Sequence, residues 1–320
     1  MVDDQATVVG TGMMGPGIAV ALSLAGIQTH LVSRSPDRAE QGLSTAHRLI
    51  NQLREGGLVN LDQAEAAKLM LTSTTDLDSA LKSSRLVIES IPEDVTLKQA
   101  FFHHLDEVSD KNAVLASNTS GISITAIAEM AKYPQRILTA HFWNPPHLMP
   151  LVEVVMGNQT SESVALQMVE ILKKCDKTAV LVRKDRPGQL GNRLQLALMR
   201  EAFYIVQEGI ASAEDVDLAI KSGFGMRLPV WGVLEHTDAV GLDLVKTIQD
   251  YVLPDLNNQP YACSLLNQKV ENGELGSATG RGFYDWTVRD MNATKARRDA
   301  FLIQFLRERK MGRKNLSVPS

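Results

Sequence analysis

Short apolar runs and helix-spaced stretches alternate along the first half of the chain. Ala6, Thr7, Val8 and Val9 read as a strand that stops at Gly10, and 16–22 continues at once with helical character. A second strand, Thr29 to Val32, is followed by two helical stretches on either side of Gly56-Gly57; Asn60 is placed to cap the second, with Asp62 and Glu65 in its first turn. Strand-like runs resume at Leu71 and recur at Leu86–Glu89, 113–116, from Ile137, at 151–155 and at 178–182. Helical spacing separates several of them, notably after Ser123 to about Ala131 and over 162–174. About eight strands alternating with helices predict a doubly wound, mostly parallel sheet of Rossmann type, with the paired helices of 36–68 as an excursion from it.

The pattern changes at Asp185-Arg186-Pro187-Gly188. Beyond it, 189–208 carries an apolar stripe at Leu190, Leu194, Ala197, Leu198, Ala202 and Ile205. Ser212-Ala213-Glu214-Asp215 reads as a capping pattern, and helices are expected over 231–240, 243–252 and 261–271. Two domains follow: residues 1–187 as a dinucleotide-binding α/β unit, and 188–320 as an all-helical unit for substrate and self-association. The last stretch, 297–314, is rich in Arg and Lys with apolar spacing at Phe301, Leu302 and Phe305, and predicts an appended amphipathic helix at the end of the second domain.

Composition narrows the function classes. A chain of 320 residues that is 44% hydrophobic and 22% charged has the profile of a soluble globular protein with a sizeable core. The net charge of -4 argues against nucleic acid as a partner, and no apolar run reaches membrane-spanning length. With a strand pattern beginning at Ala6 and no basic, apolar stretch before it, no secretory signal region is expected, and the isolated Cys175 and Cys263 suit a reducing cytoplasm rather than a disulfide framework. No ligand cluster has metal spacing, so no metal is expected.

The first candidate chemistry is Gly10-Thr11-Gly12-Met13-Met14-Gly15, a G-x-G-x-x-G placed between a strand and a helix. Gly10 is expected to make the tight turn, Gly12 to let backbone amides and the flanking Met13 and Met14 approach a pyrophosphate, and Gly15 to let the helix pack on the sheet. The next strand ends in Ser33-Arg34, where an NAD-binding chain usually places a carboxylate for the ribose hydroxyl. A serine and an arginine there can hold a phosphate instead, which favours NADP; Arg34 as a plain surface cation is the simpler alternative. Glu93 and Lys98, just past the carboxyl end of the Leu86–Glu89 strand, are candidates for the nicotinamide half, with an exposed ion pair as the alternative.

The second candidate lies in Thr139-Ala140-His141-Phe142-Trp143-Asn144-Pro145-Pro146-His147, followed by an apolar run that holds Glu153. A histidine and a carboxylate on strands joined by a turn can meet as a general base and its orienting partner; a solvated loop histidine is the other reading. Ser117-Asn118-Thr119-Ser120-Gly121, at another strand end, offers hydroxyl groups or a helix cap. His30, His103, His104 and His236 have no evident partner in the sequence and are expected to be surface or packing residues, although His236 could touch substrate.

Taken together, GTGMMGPG, VIESIPED, SNTSG, HFWNPPHLMPLVEVV, DRPGQLGNRL and GRGFYDW resemble the L-3-hydroxyacyl-CoA dehydrogenase family, in the family's order and over nearly the whole chain. The resemblance implies that His141 removes the hydroxyl proton, that Glu153 orients it, that Ser120 and Asn192 hold the reacting oxygen, and that Asn144 lies beside the site. It also implies an NAD cofactor, although Ser33 departs from the family's acidic residue, and dimerisation through the helical domain. Members acting on CoA esters keep basic side chains on the helical excursion, whereas 39–67 has only Arg48 and Arg54 as cations. The NPP-x-x-x-PLVE wording is also similar to the branch with L-gulonate 3-dehydrogenase and lens lambda-crystallin. A 3-hydroxyacyl-type substrate is therefore expected, a free hydroxy acid is the alternative, and a non-catalytic crystallin-like role is a third reading.

Overall fold

The computed structural model describes residues 5–316, with side chains as far as Met311; Lys314 of the basic end lies beyond the described side chains. Eight strands form one sheet in the order β3-β2-β1-β4-β5-β6-β7-β8. They are β1 (Gln5–Val9), β2 (Gln28–Val32), β3 (Leu71–Thr74), β4 (Leu86–Glu89), β5 (Val114–Ser117), β6 (Ile137–Phe142), β7 (Leu151–Met156) and β8 (Thr178–Val182). All neighbours are parallel except β6 and β7, so the sheet is mostly parallel, as the alternating pattern predicts. The strand order reverses between β1 and β4, which opens a crevice at their carboxyl ends.

Helices cover both faces because successive strand residues point to opposite sides. Val8, Ile88 and Ala116 join a cluster with α1 (Gly15–Leu24), α2 (Pro36–Glu55), α3 (Leu61–Leu69) and, further along, α7. Their neighbours Val9, Val87 and Leu115 join a second cluster with α4 (Leu77–Ser83), α5 (Val95–Val108) and α6 (Ile124–Ile127). The helix α7 (Glu162–Lys174) links β7 to β8. The strands buried on both faces are the ones written as continuous apolar runs. Two elements depart from the periodic reading. The seven-residue α4 is too short to leave a readable stripe, and the helix expected from Ser123 to Ala131 is only α6 followed by a 3-10 turn, Ala128–Met130.

The chain divides into two compact units. The first runs to Arg193 and takes up the chain again at Ala296; the second is Leu194–Lys295. The helix α8 (Gly191–Gln207) begins in the first unit, and α9 (Ala213–Ser222), α10 (Val233–Val240), α11 (Leu242–Val252) and α12 (Ser264–Glu271) belong to the second. His236 sits there edge-on to Trp231, with ring centres 5.0 Å apart. The last helix, α13 (Met291–Leu316), corrects the expectation that everything after residue 187 belongs to one helical domain. Leu302, Ile303 and Leu306 pack against the core of the first unit, and Lys310 donates to the Leu58 carbonyl at 3.2 Å. A helix whose apolar stripe matches a distant partner joins that partner's unit, whatever its place in sequence. No described helix is long and apolar enough to cross a membrane.

Candidate active site

His141 and Glu153 are cross-strand partners in the antiparallel β6–β7 ladder, so the turn between them brings base and carboxylate directly opposite. His141 is 5% exposed and Glu153 is fully buried. The His141 Nδ1–H donates to Glu153 Oε2 at 2.7 Å, which fixes the tautomer, because an ionised carboxylate can only accept. Nε2 of His141 has no hydrogen bond among the described residues, so its lone pair is left for an incoming proton.

Glu153 accepts three further hydrogen bonds. Trp143 Nε1 donates to Oε2 at 3.1 Å, while the Leu190 and Gly191 amides donate to Oε1 at 2.9 and 2.8 Å. Burial pushes this carboxyl up, but the bonds from His141, Gly191, Trp143 and Leu190 outweigh it and hold the group down at about 2. Trp143 also packs flat enough on Gly191 that a Cβ there would fall 2.5 Å from the indole. Neither contact is visible in the sequence, where Trp143 is one aromatic among several in the stretch. The turn itself contains a cis Asn144–Pro145 peptide, and Lys177 donates to the Pro146 and Met149 carbonyls at 2.6 and 3.0 Å.

The β5 end approaches from the side. Asn118 Oδ1 accepts from the Phe142 amide at 2.9 Å and ties the two strand ends together. Glu93 accepts from the Thr119 hydroxyl and from the Ser120 and Gly121 amides, the latter two at 3.1 and 3.2 Å. Burial opposes its ionisation, but Thr119, the Lys98 ammonium and those amides hold its carboxyl below the usual range. Lys98 is 1% exposed and lies 2.6 Å from Glu89 and 3.4 Å from Glu93. It is therefore not the exposed partner that sequence allows; its charge is spent beneath the site, and Glu93 shapes the Ser120 loop. Asn192 Nδ2 donates to the Ser120 carbonyl at 2.8 Å, and Gln189 Nε2 to the Thr119 carbonyl at 3.0 Å. The structure thus brings Ser120 and Asn192 together, while Asn144 stands exposed on the turn and makes no side-chain hydrogen bond among the described residues.

The glycine turn leaves room for a nucleotide. Gly10 has φ +111°, and a Cβ there would meet the Ser90 carbonyl oxygen at 2.3 Å. A Cβ on Gly15 would lie 1.8 Å from the Gly10 carbonyl oxygen and 3.7 Å from Leu31 of β2, so the start of α1 can close against the strand ends only without one. A Cβ on Gly12 would meet nothing within 4 Å, and no side chain caps the start of α1, so its amides face an open cradle suited to phosphate. Met13 is 80% exposed at the rim of that cradle, with Met14 half-buried behind it. Ser33 is turned inward against Thr11, Oγ to Oγ1 3.2 Å, and Arg34 is exposed. Among the described residues no group of three or more His, Cys, Asp or Glu is disposed to hold a metal.

A glycine-turn Rossmann sheet ending in a paired histidine and carboxylate defines a nicotinamide-dependent oxidoreductase. Residues 5–186 match the 3-hydroxyacyl-CoA dehydrogenase, NAD binding domain, and residues 188–286 match the 3-hydroxyacyl-CoA dehydrogenase, C-terminal domain. The chain belongs to the 3-hydroxyacyl-CoA dehydrogenase family. It is 37% identical over 283 residues to a probable 3-hydroxybutyryl-CoA dehydrogenase of Bacillus subtilis, covering 88% of this chain and 97% of that one. It is 30% identical over 299 residues to the 5-formyl-3-hydroxy-2-methylpyridine 4-carboxylate 5-dehydrogenase of Mesorhizobium japonicum, covering 92% and 95%. Among solved structures, an NAD+-dependent dismutase acting as a dehydrogenase of that pyridine carboxylic acid superposes with a TM-score of 0.88 at 29% identity, over 96% of this chain and 98% of the other. The (S)-3-hydroxybutyryl-CoA dehydrogenase of Ralstonia eutropha gives 0.74 at 31% identity, over 89% and 99%.

The four-donor cage makes a testable link between acid and stability. A carboxyl depressed from 4.5 to about 2 contributes stability that is present above the unfolded value and is lost as pH falls from 4.5 towards 2. Trp143→Phe removes one donor, so it should lower stability at pH 7 by about 1–2 kcal/mol. That deficit should shrink as pH falls towards 2 and Glu153 takes up its proton. Denaturant unfolding across this range reads it; a deficit independent of pH would mean that the indole only packs.

Proposed function

We propose that the chain oxidises the secondary hydroxyl of a 3-hydroxyacyl-type substrate, or reduces the matching ketone, with His141 as the general base and acid. The observation that carries this is the buried His141–Glu153 pair, which commits Nδ1 and leaves Nε2 for the substrate proton. A nicotinamide cofactor, when bound, takes or returns the hydride. As the hydroxyl proton passes to Nε2, the imidazolium formed lies 2.7 Å from a carboxylate kept ionised by its other donors. Ser120 and Asn192 are read as donors to the substrate oxygen, with Asn144 beside them. Their support is positional: Glu93 fixes the Ser120 backbone, and Asn192 is anchored to it. Preorganised donors of this kind stabilise charge without reorganising.

Two observations favour a free hydroxy acid over a CoA ester. The helices α2 and α3 carry only four cations, Arg38, Arg48, Arg54 and Lys68, and two of them are matched: Lys68 lies 2.8 Å from Glu65 and Arg54 3.7 Å from Glu55. The pyridine-carboxylate enzyme superposes with a TM-score of 0.88, against 0.74 for the Ralstonia hydroxybutyryl-CoA enzyme. For the cofactor, the lack of a carboxylate after β2 and the exposed Arg34 support NADP, while the relative described as NAD+-dependent supports NAD. We read NADP as the better fit to the residues.

Self-association is supported by the second unit, whose helices α9, α10, α11 and α12 bury none of their residues. Leu194, Leu234 and Tyr251 are 68, 80 and 87% exposed, more apolar surface than a monomer ordinarily leaves to water. A second copy would cover it.

His141→Gln should lower kcat at least a thousandfold while cofactor affinity, read by fluorescence titration, stays within threefold; a kcat near wild type would sink the assignment. Arg34→Ala should cut kcat/KM for NADP about tenfold and leave that for NAD unchanged, whereas an already dominant NAD preference in the wild type would refute the NADP reading. Sedimentation equilibrium should give a dimer at micromolar concentration, and a strict monomer would overturn self-association.

A further inference from the structure

A cavity of about 670 Å³ lies beside the cofactor turn, lined by Gly12 and Met13, by the Asn144–Pro146 turn with His147, by one face of α2, and by Arg298 and Asp299 of α13. The α2 face is polar at helical spacing: Thr45, Arg48, Asn51, Gln52 and Glu55 all line it. Most charges in it are already matched. Arg298 pairs with Asp299 at 2.7 Å, and Glu55 is 3.7 Å from Arg54. Gln52 bridges the three walls: its Nε2 donates to Asp299 at 3.4 Å, and its Oε1 lies 3.3 Å from His147 Nε2. Burial first, then the Lys177 charge, pulls His147 down to about 4, so it stands neutral in this wall. Nδ1 of His147 and Oδ1 of Asn51 are buried without partners.

Arg48 is different. Its guanidinium makes no hydrogen bond or ion pair among the described residues, and the Thr45 hydroxyl one turn earlier on the same face makes none either. One uncommitted cation in a polar cavity marks a place for an anionic ligand group, while the orphaned acceptors His147 Nδ1 and Asn51 Oδ1 can only take a proton donor, such as a ligand hydroxyl. The cavity reaches from there to the cofactor turn and to Asn144, on the turn that leaves the His141 strand. The outer wall is α13, which lies past residue 286 where the family match ends. It is seated tightly: Ile303 stands where a Cβ on Gly56 would fall 2.7 Å away, and Arg307 covers Gly57.

We propose that this cavity is the carboxylate subsite of a small free hydroxy or oxo acid, with Arg48 as the charge that binds it and α13 as the wall that completes it. The assignment rests on the free-acid reading of the function. A planar guanidinium can take a carboxylate in two parallel bonds, which a neutral amide cannot reproduce. The helix α13 closes the α2 side of the cavity with Arg298 and Asp299.

Calorimetric titration of the full-length protein loaded with its oxidised cofactor, with acetoacetate and acetoacetamide as probes, tests it. Acetoacetate should bind at least tenfold more tightly than the amide. Arg48→Gln should remove most of that difference, and Arg48→Lys should restore part of it. His141→Gln should leave the acid-over-amide difference in place, so that a failed hydride-transfer reading would not be mistaken for a failed subsite. Equal affinities for acid and amide, including binding of neither, would overturn the proposal. So would an unchanged preference in Arg48→Gln, or displacement of acetoacetate by coenzyme A that Arg48→Gln weakens.

Discussion

The buried carboxylate of Glu153 is the constraint on which the site depends. A charged group with no exposure to water must be met by donors on every lone pair, and here four are supplied by three separate pieces of chain. The β6–β7 ladder provides His141, the turn provides Trp143, and the start of α8 provides two backbone amides. Satisfying Glu153 therefore sets the ring plane of His141 and the entry of α8 together. Asn192 follows Gly191 directly, so its position is inherited from that same bond network. One desolvated group thus registers the His141 imidazole and the Asn192 side chain to a common frame.

A second buried charge system supports the opposite wall. Lys98 sits between Glu89 and Glu93, and Glu89 also takes the Ser117 hydroxyl at 2.6 Å and the Ile91 amide at 2.6 Å. Removing any one member would strand a charge in the interior, so the ends of β4 and β5 are held rigidly against each other. Glu93 is the outer edge of this network and passes its order to Thr119, Ser120 and Gly121. The cofactor cradle opens between β1 and β4, and so it shares a wall with this network.

The C-terminal helix gives the first unit a wall that the family's matched domains do not contain. Its apolar side completes the cluster under α2, while Arg298 and Asp299 neutralise each other at the cavity rim. That arrangement leaves Arg48 as the charge without a counterpart. Specificity in this reading comes from what is left unpaired rather than from a dense basic surface.

The sequence by itself determined the sheet, its direction and the glycine turn after β1, because those follow from local periodicity and from Gly10 and Gly15, where a Cβ would collide with backbone. It offered the pairing of His141 with Glu153 as one of two readings, and the antiparallel β6–β7 register decided it. The remaining features depended on residues far apart in the chain. Trp143 and the amides of Leu190 and Gly191 share one oxygen pair only because α8 begins beside β7. From the sequence Lys98 reads as a nicotinamide contact or half of an exposed ion pair, and only packing buries it between Glu89 and Glu93. The helix at 291–316 was legible as amphipathic, but which unit it belonged to was decided by where its apolar stripe found a complementary surface. Local pattern fixes what an element is, and only packing decides which partner satisfies it.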